Sequence, residues 1–173
     1  MYLTCRGIIS AVISLNDRGF VAQHSQNNQP VEVSEELDAL SCELLGSALD
    51  ALAAGVEVPV IVSVEDAAGT RVTNSFSEDG IETCINEAHS YIASLVAGKT
   101  GRPDNLGVPV RYAIVYEGAV DLENNGYEDA LILEFAEKDQ QAFSAYVLWQ
   151  GFGAGEAFQW CDPEPAGEVD SLL

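Results

Sequence analysis

Basic side chains are what this sequence has least of: 7 lysines and arginines stand against 28 aspartates and glutamates, for a formal net charge of −21. A surface of that sign repels phosphate backbones and anionic lipid, so direct nucleic-acid binding and membrane-surface attachment are not expected. Three readings of the acidity stay open: a soluble, self-repelling surface, adaptation to high salt, or a decoy for a basic partner protein. Histidine is scarcer still, with His24 and His89 alone. Neither has a partner at metal-ligand spacing, and both read as surface residues. No His-Glu-x-x-His and no Gly-x-Ser-x-Gly occurs, so nucleophilic, metal-dependent and phosphoryl-transfer mechanisms lack their parts.

The four cysteines, Cys5, Cys42, Cys84 and Cys161, form no Cys-x-x-Cys pair, which excludes metal ribbons and disulfide-dense secreted folds. Cys42 and Cys84 fall in predicted helices as small apolar residues. A Cys5–Cys161 pairing would require neighbouring termini and is not expected. No run approaches the length of a membrane span. Ile8 to Leu15 follows Arg6 like the apolar part of a signal peptide. Asn16-Asp-Arg-Gly19 before Phe20-Val-Ala22 nevertheless makes a better hairpin than a cleavage site, so a cytoplasmic protein is expected.

What is present is enough apolar residue for a core. At 47% hydrophobic content, 173 residues suit one globular domain that buries roughly 70% of its unfolded surface. Residues 7 to 24 read as two short strands, and 25 to 30 as a polar loop. Ser34 offers an N-cap, followed by Glu35, Glu36 and Asp38 where the helix dipole favours acids. Leu37, Leu40, Leu44, Ala48, Ala51 and Leu52 then recur at helical spacing until Gly55 stops the helix. Val56 to Val64 alternates as a strand with one face buried, and Pro59 places it at an edge or delays its pairing. After Asp66-Ala-Ala-Gly69 the chain turns into Arg71 to Phe76. Asp79-Gly-Ile-Glu82 has the form of a capping box for a second helix, with Ile81, Cys84, Ile85, Ala88, Ile92 and Leu95 inward and its end by Gly98.

The stretch Val110 to Gln150 reads as the centre of the sheet. Val110, Tyr112, Ile114 and Tyr116 alternate with Arg111, Ala113, Val115 and Glu117. Asn125-Gly126 can turn a hairpin, the apolar run Ala130 to Ala136 pairs back, and Ala142 to Gln150 adds a third strand. Phe158-Gln-Trp160 closes as a short edge strand, and residues 162–173 are expected to be an acidic, flexible tail beside a domain spanning 1–161. The whole predicts an α+β domain, a mainly antiparallel sheet with two helices on one face.

Two clusters are candidate sites. Asp121, Glu123, Asn125 and Gly126 match the opening of an EF-hand loop, but Ile132 stands where the bidentate acid must be, so a hairpin and no metal are expected. Gly151, Gly153 and Gly155 lack the fourth small residue of a dinucleotide loop, because Glu156 holds that place; no cofactor is expected. Glu134 is the residue that does not fit. It interrupts an apolar strand, and a buried carboxylate near Tyr112, Tyr116 or Tyr146 is how a general acid is made. An exposed strand acid, or a satisfied structural hydrogen bond, is the plainer reading. Val64 to Gly69, with Tyr112 to Gly118, resembles small uncharacterised bacterial α+β proteins over residues 34 to 150; the resemblance implies no activity and no site residues. The expected function is binding of a protein partner, a basic one in the sharper form, or self-association. An acidic inhibitor or nucleic-acid mimic and a small hydrolase or isomerase using Glu134 are the alternatives.

Overall fold

The computed structural model describes residues 33–78, 80–98, 101–122 and 126–173. The strands expected over 7–24, the loop 25–30, Cys5, His24 and the Asp79 cap lie outside the described residues. Helix α1 (Glu35–Ala53) begins at Ser34, whose hydroxyl accepts from the Leu37 amide at 3.1 Å. Three acids occupy its first turn, where unpaired amides present positive charge. It ends as expected, at Gly55 with φ +78°. A side chain there would meet two obstacles, the left-handed backbone and the Gly153 Cα, 3.2 Å from where its Cβ would stand. The close approach has a purpose: the Gly153 amide donates to the Leu52 carbonyl at 2.9 Å, so the glycine loop after the central strands caps α1.

Strand β1 (Val60–Asp66) starts after Pro59 and lies between β2 (Arg71–Phe76) and β3 (Pro109–Leu122). Proline therefore delays pairing rather than marking an edge. The expectation of a single buried face is corrected, since Ser63, Glu65 and Asp66 are buried as well. Helix α2 (Ile81–Ala97) follows β2 and ends at Gly98 in the left-handed region. Cys84, Ala88, Ile92 and Leu95 are its buried stripe, whereas Ile81, expected inward, is 47% exposed at the first turn. Strands β3, β4 (Gly126–Glu137) and β5 (Ala142–Gln150) form the long antiparallel centre. The tip residues Glu123 and Asn125 lie outside the described residues, but Leu122 pairs with Gly126 and the hairpin is formed. Two strands then pair with β5, the expected short β6 (Gln159–Trp160) and β7 (Glu164–Val169). Residues 164–169, expected in a flexible tail, are thus a strand of the sheet. Pro165, Gly167 and Val169 turn inward in period two, an alternation that the prolines and acids of the segment hide.

The α+β class, with a mainly antiparallel sheet and two α-helices among the described residues, is what the structure has. The helices, however, take opposite faces. Ala113 and Val115 pack with Leu131, Leu133 and Phe135 under α1. Their neighbours Tyr112 and Ile114 pack with Val62, Val64, Ala88 and Ile92 under α2. Successive strand residues point to opposite faces, so one strand feeds both cores. That explains why β3 and β4 read as nearly continuous apolar runs. Each fully buried leucine or isoleucine in these layers contributes about 2 kcal/mol of transfer free energy.

Candidate functional site

The sheet register assembles the site around Glu134. Ile114 of β3 lies directly opposite Glu134, which places Tyr112 and Tyr116 on its two diagonals, a spacing that aromatic side chains can cross. Tyr116 crosses it, its hydroxyl donating to Glu134 Oε1 at 2.9 Å. The second oxygen is met from above: His89 on α2 places Nε2 2.9 Å from Glu134 Oε2. Glu134 itself is 8% exposed, which removes the exposed-acid reading and leaves a buried acid with both oxygens engaged. His89, expected at the surface, keeps a side chain 34% exposed. Its imidazole contacts the acid through Nε2, leaving Nδ1 as the nitrogen turned away from it.

The other two tyrosines take different places. Tyr112 is fully buried beside the acid, with no hydrogen-bond partner at its hydroxyl; the Leu172 amide biases it electrostatically without meeting hydrogen-bond geometry. Burial first, and the Glu134 charge second, raise its pKa well above that of free tyrosine. The same two causes act on Tyr116, with its own hydrogen bond adding to them. Tyr146 is not part of the cluster. Its hydroxyl donates to Glu164 of β7 at 2.6 Å, and burial with that carboxylate pushes its pKa up to about 12. Leu172 and Leu173 pack on the same side of the sheet, so the end of the described chain helps cover the site.

Two acids that drew no notice in the sequence prove to be structural. Glu65, buried in β1, accepts from Arg71 Nη2 at 2.8 Å and from Arg111 Nη1 at 2.5 Å. Arg71 also pairs with Glu43 of α1, and Arg111 with Glu137 of β4 at 3.1 Å. Burial opposes the charge on both guanidiniums, but the carboxylates outweigh it and both pKa values rise. Asp66, 4% exposed, closes the β1–β2 turn by accepting from the amides of Ala68 and Thr70 at 2.8 and 2.9 Å, and it holds the Gly107 amide at 2.6 Å. It sits at the rim of the sheet rather than in the dense interior. The Gly107 and Thr70 amides are the main reasons its pKa lies below the usual carboxylate range.

Asp121 is exposed, while Glu123 and Asn125 of the same loop lie outside the described residues. Among the described residues no group of three histidine, cysteine or acidic side chains could hold a metal ion. Gly151, Gly153 and Gly155 adopt positive φ, and Gly153 caps α1 as described above. Cys84 and Cys161 carry free thiols, and no described helix is long and apolar enough to cross a membrane. Among the described residues, an open groove of about 550 Å³ runs along α2 beside Phe76. A scan against protein-family models, a search of curated proteins and a search of solved structures each gave no match.

Proposed function

We propose that the protein works by binding a basic protein partner, in a cytoplasmic setting. One observation carries this reading. The three described arginines are all engaged inside the fold, Arg71 and Arg111 with Glu65 and its neighbours, and Arg102 with the Leu95 and Val96 carbonyls at the end of α2. Lys138 is the one other described lysine or arginine, and it is exposed. Carboxylates on α1 (Glu35, Glu36, Asp50), on α2 (Glu82, Glu87) and on β7 (Glu164, Glu168) meet solvent, and none of them is ion-paired with a described lysine or arginine. Such a field draws in a basic partner and repels nucleic acid. The acids spread over both faces of the sheet, which weighs against a nucleic-acid mimic, because mimicry calls for one contiguous stripe.

The test is capture on the immobilised protein from its source cells at about 50 and about 300 mM salt, followed by reconstitution of the captured pair from purified components. The expected partner is basic, binds with defined stoichiometry, and is lost as salt rises. Failure of every captured protein to bind when purified would end this reading.

A second reading rests on the Glu134–His89 pair. A carboxylate fixing one imidazole nitrogen leaves the other to move a proton, as a small hydrolase or isomerase would require. The comparison that tests it is turnover of activated esters and enolisable ketones by the wild type and by Glu134→Gln. Equal rates would remove it.

A further inference from the structure

After its last strand the described chain returns to the layer that holds the Glu134 cluster. Strand β7 ends at Val169, whose carbonyl accepts from the Gln141 side-chain amide at 3.1 Å. Residues 170–173 run on without regular structure, with Asp170 and Ser171 exposed and Leu172 and Leu173 half-buried. Both leucines rest on the core layer that contains Tyr112, Ile114 and Ala136. Their hold is apolar. Among the described residues no hydrogen bond ties 170–173 to the sheet; the Leu173 amide donates to the Ser171 hydroxyl at 3.4 Å, within the segment itself. A segment kept in place by partial apolar burial, with no main-chain bonds to break, belongs to the low-stability end of a fold's local openings.

What lies beneath favours opening as well. Tyr112 is fully buried and its hydroxyl has no partner, so it regains a hydrogen bond as soon as water reaches it. The Leu172 amide biases that hydroxyl without meeting hydrogen-bond geometry, which places the segment beside it. Glu134 lies within electrostatic reach of the same hydroxyl. On lifting, half-buried leucines give up only part of a leucine's transfer free energy, while the released residues regain backbone freedom.

We infer that residues 170–173 are a strap that lifts from the sheet while the fold stays closed elsewhere, and that its lifting opens Tyr112 and Glu134 to solvent. Under the second functional reading the strap controls the access of a small substrate to the Glu134–His89 pair. Its test needs no turnover, so the strap and the catalytic reading fail separately.

The test is nitration of the folded protein by tetranitromethane at about pH 8, where a solvent-exposed tyrosine is slightly ionised. Modified tyrosines are mapped by peptide mass spectrometry at increasing urea, below the unfolding transition. Tyr127, 78% exposed, reports the unhindered rate in the same sample. Tyr112 is expected to react through the lifted strap, at a rate that does not change with urea, because a local opening exposes little surface. Leu172→Ser combined with Leu173→Ser is expected to speed Tyr112 by about tenfold, through the apolar burial it removes, and to leave Tyr127 unchanged. A Tyr112 rate that climbs with urea along the slope of global unfolding would overturn the strap, since the tyrosine is then reached only through the unfolded chain. No reaction of Tyr112 while Tyr127 is consumed would overturn it equally, as would a folded double variant in which Tyr112 reacts no faster than in the wild type. If the double variant does not fold, the urea dependence of the wild type decides alone.

Discussion

Glu134→Ala removes the acceptor that both Tyr116 and His89 use, and the expected cost can be built up from their surroundings. A hydrogen bond to a charged group contributes about 1.5–3 kcal/mol. The Tyr116 bond should sit within that range, because the tyrosine is half-buried and its hydroxyl would lose its partner. His89, one-third exposed, can turn to water, and its contribution falls to that of a surface pair, about 0–1 kcal/mol. Against these stands the relief of no longer burying a carboxylate, which lowers the total but does not cancel it, because both carboxylate oxygens are hydrogen-bonded in the fold. The net expectation is a loss of about 1–3 kcal/mol, or about 2–10 °C in Tm for a chain of this size. Urea unfolding followed by tryptophan fluorescence reads it as a lower midpoint at unchanged slope. Tyr116→Phe completes a double-mutant cycle, in which a coupling of about 0.5–2 kcal/mol is expected. A Glu134→Ala variant as stable as the wild type, with no coupling to Tyr116, would show that the cluster does not hold the sheet and helix together.

Three further outcomes follow from the same structure. Glu65→Gln keeps the shape but leaves two arginines facing a neutral amide; since each retains a second carboxylate, the loss should be about 2–3 kcal/mol, below that of breaking an isolated buried pair, and visible by denaturant titration. On the alkaline side, Tyr112 and Tyr116 have folded-state pKa values above the unfolded value, so their contribution is complete below about pH 10 and disappears as pH rises through the folded values. Stability should therefore fall by up to about 1.4 kcal/mol per pH unit per tyrosine in that window, and Tyr112→Phe should flatten the fall. Asp66 acts in the opposite direction: its folded pKa is lowered, so its contribution is present above the unfolded carboxylate range and is lost on acidification, a limb that Asp66→Asn should remove.

The elements legible in the sequence were those with a local cause. Ser34 and Gly55 bound α1 through a cap and a left-handed stop, and period two located β3, β4 and β5. Where partners are distant in sequence the signal vanishes. His89 and Glu134 meet across 45 residues, so no spacing could announce them, although an acid inside an apolar strand did announce that a donor was needed. Glu65 looked like an outward residue of an alternating strand; covering both sheet faces forced it inside, and arginines from β2 and β3 compensate. The two-faced arrangement itself was concealed because α1 and α2 each show one apolar stripe, which says nothing about which face it covers. Strand β7 was obscured by its edge-protecting residues, proline and glutamate, which also describe a solvated tail.

The most direct measurement is calorimetric titration of the purified protein with the partner it captures, at about 50 and about 300 mM salt. A saturable complex with a basic protein, weakened at least tenfold as salt rises, is the predicted result. A partner that is acidic or neutral, or one whose affinity ignores salt, would contradict recognition by the carboxylate surface.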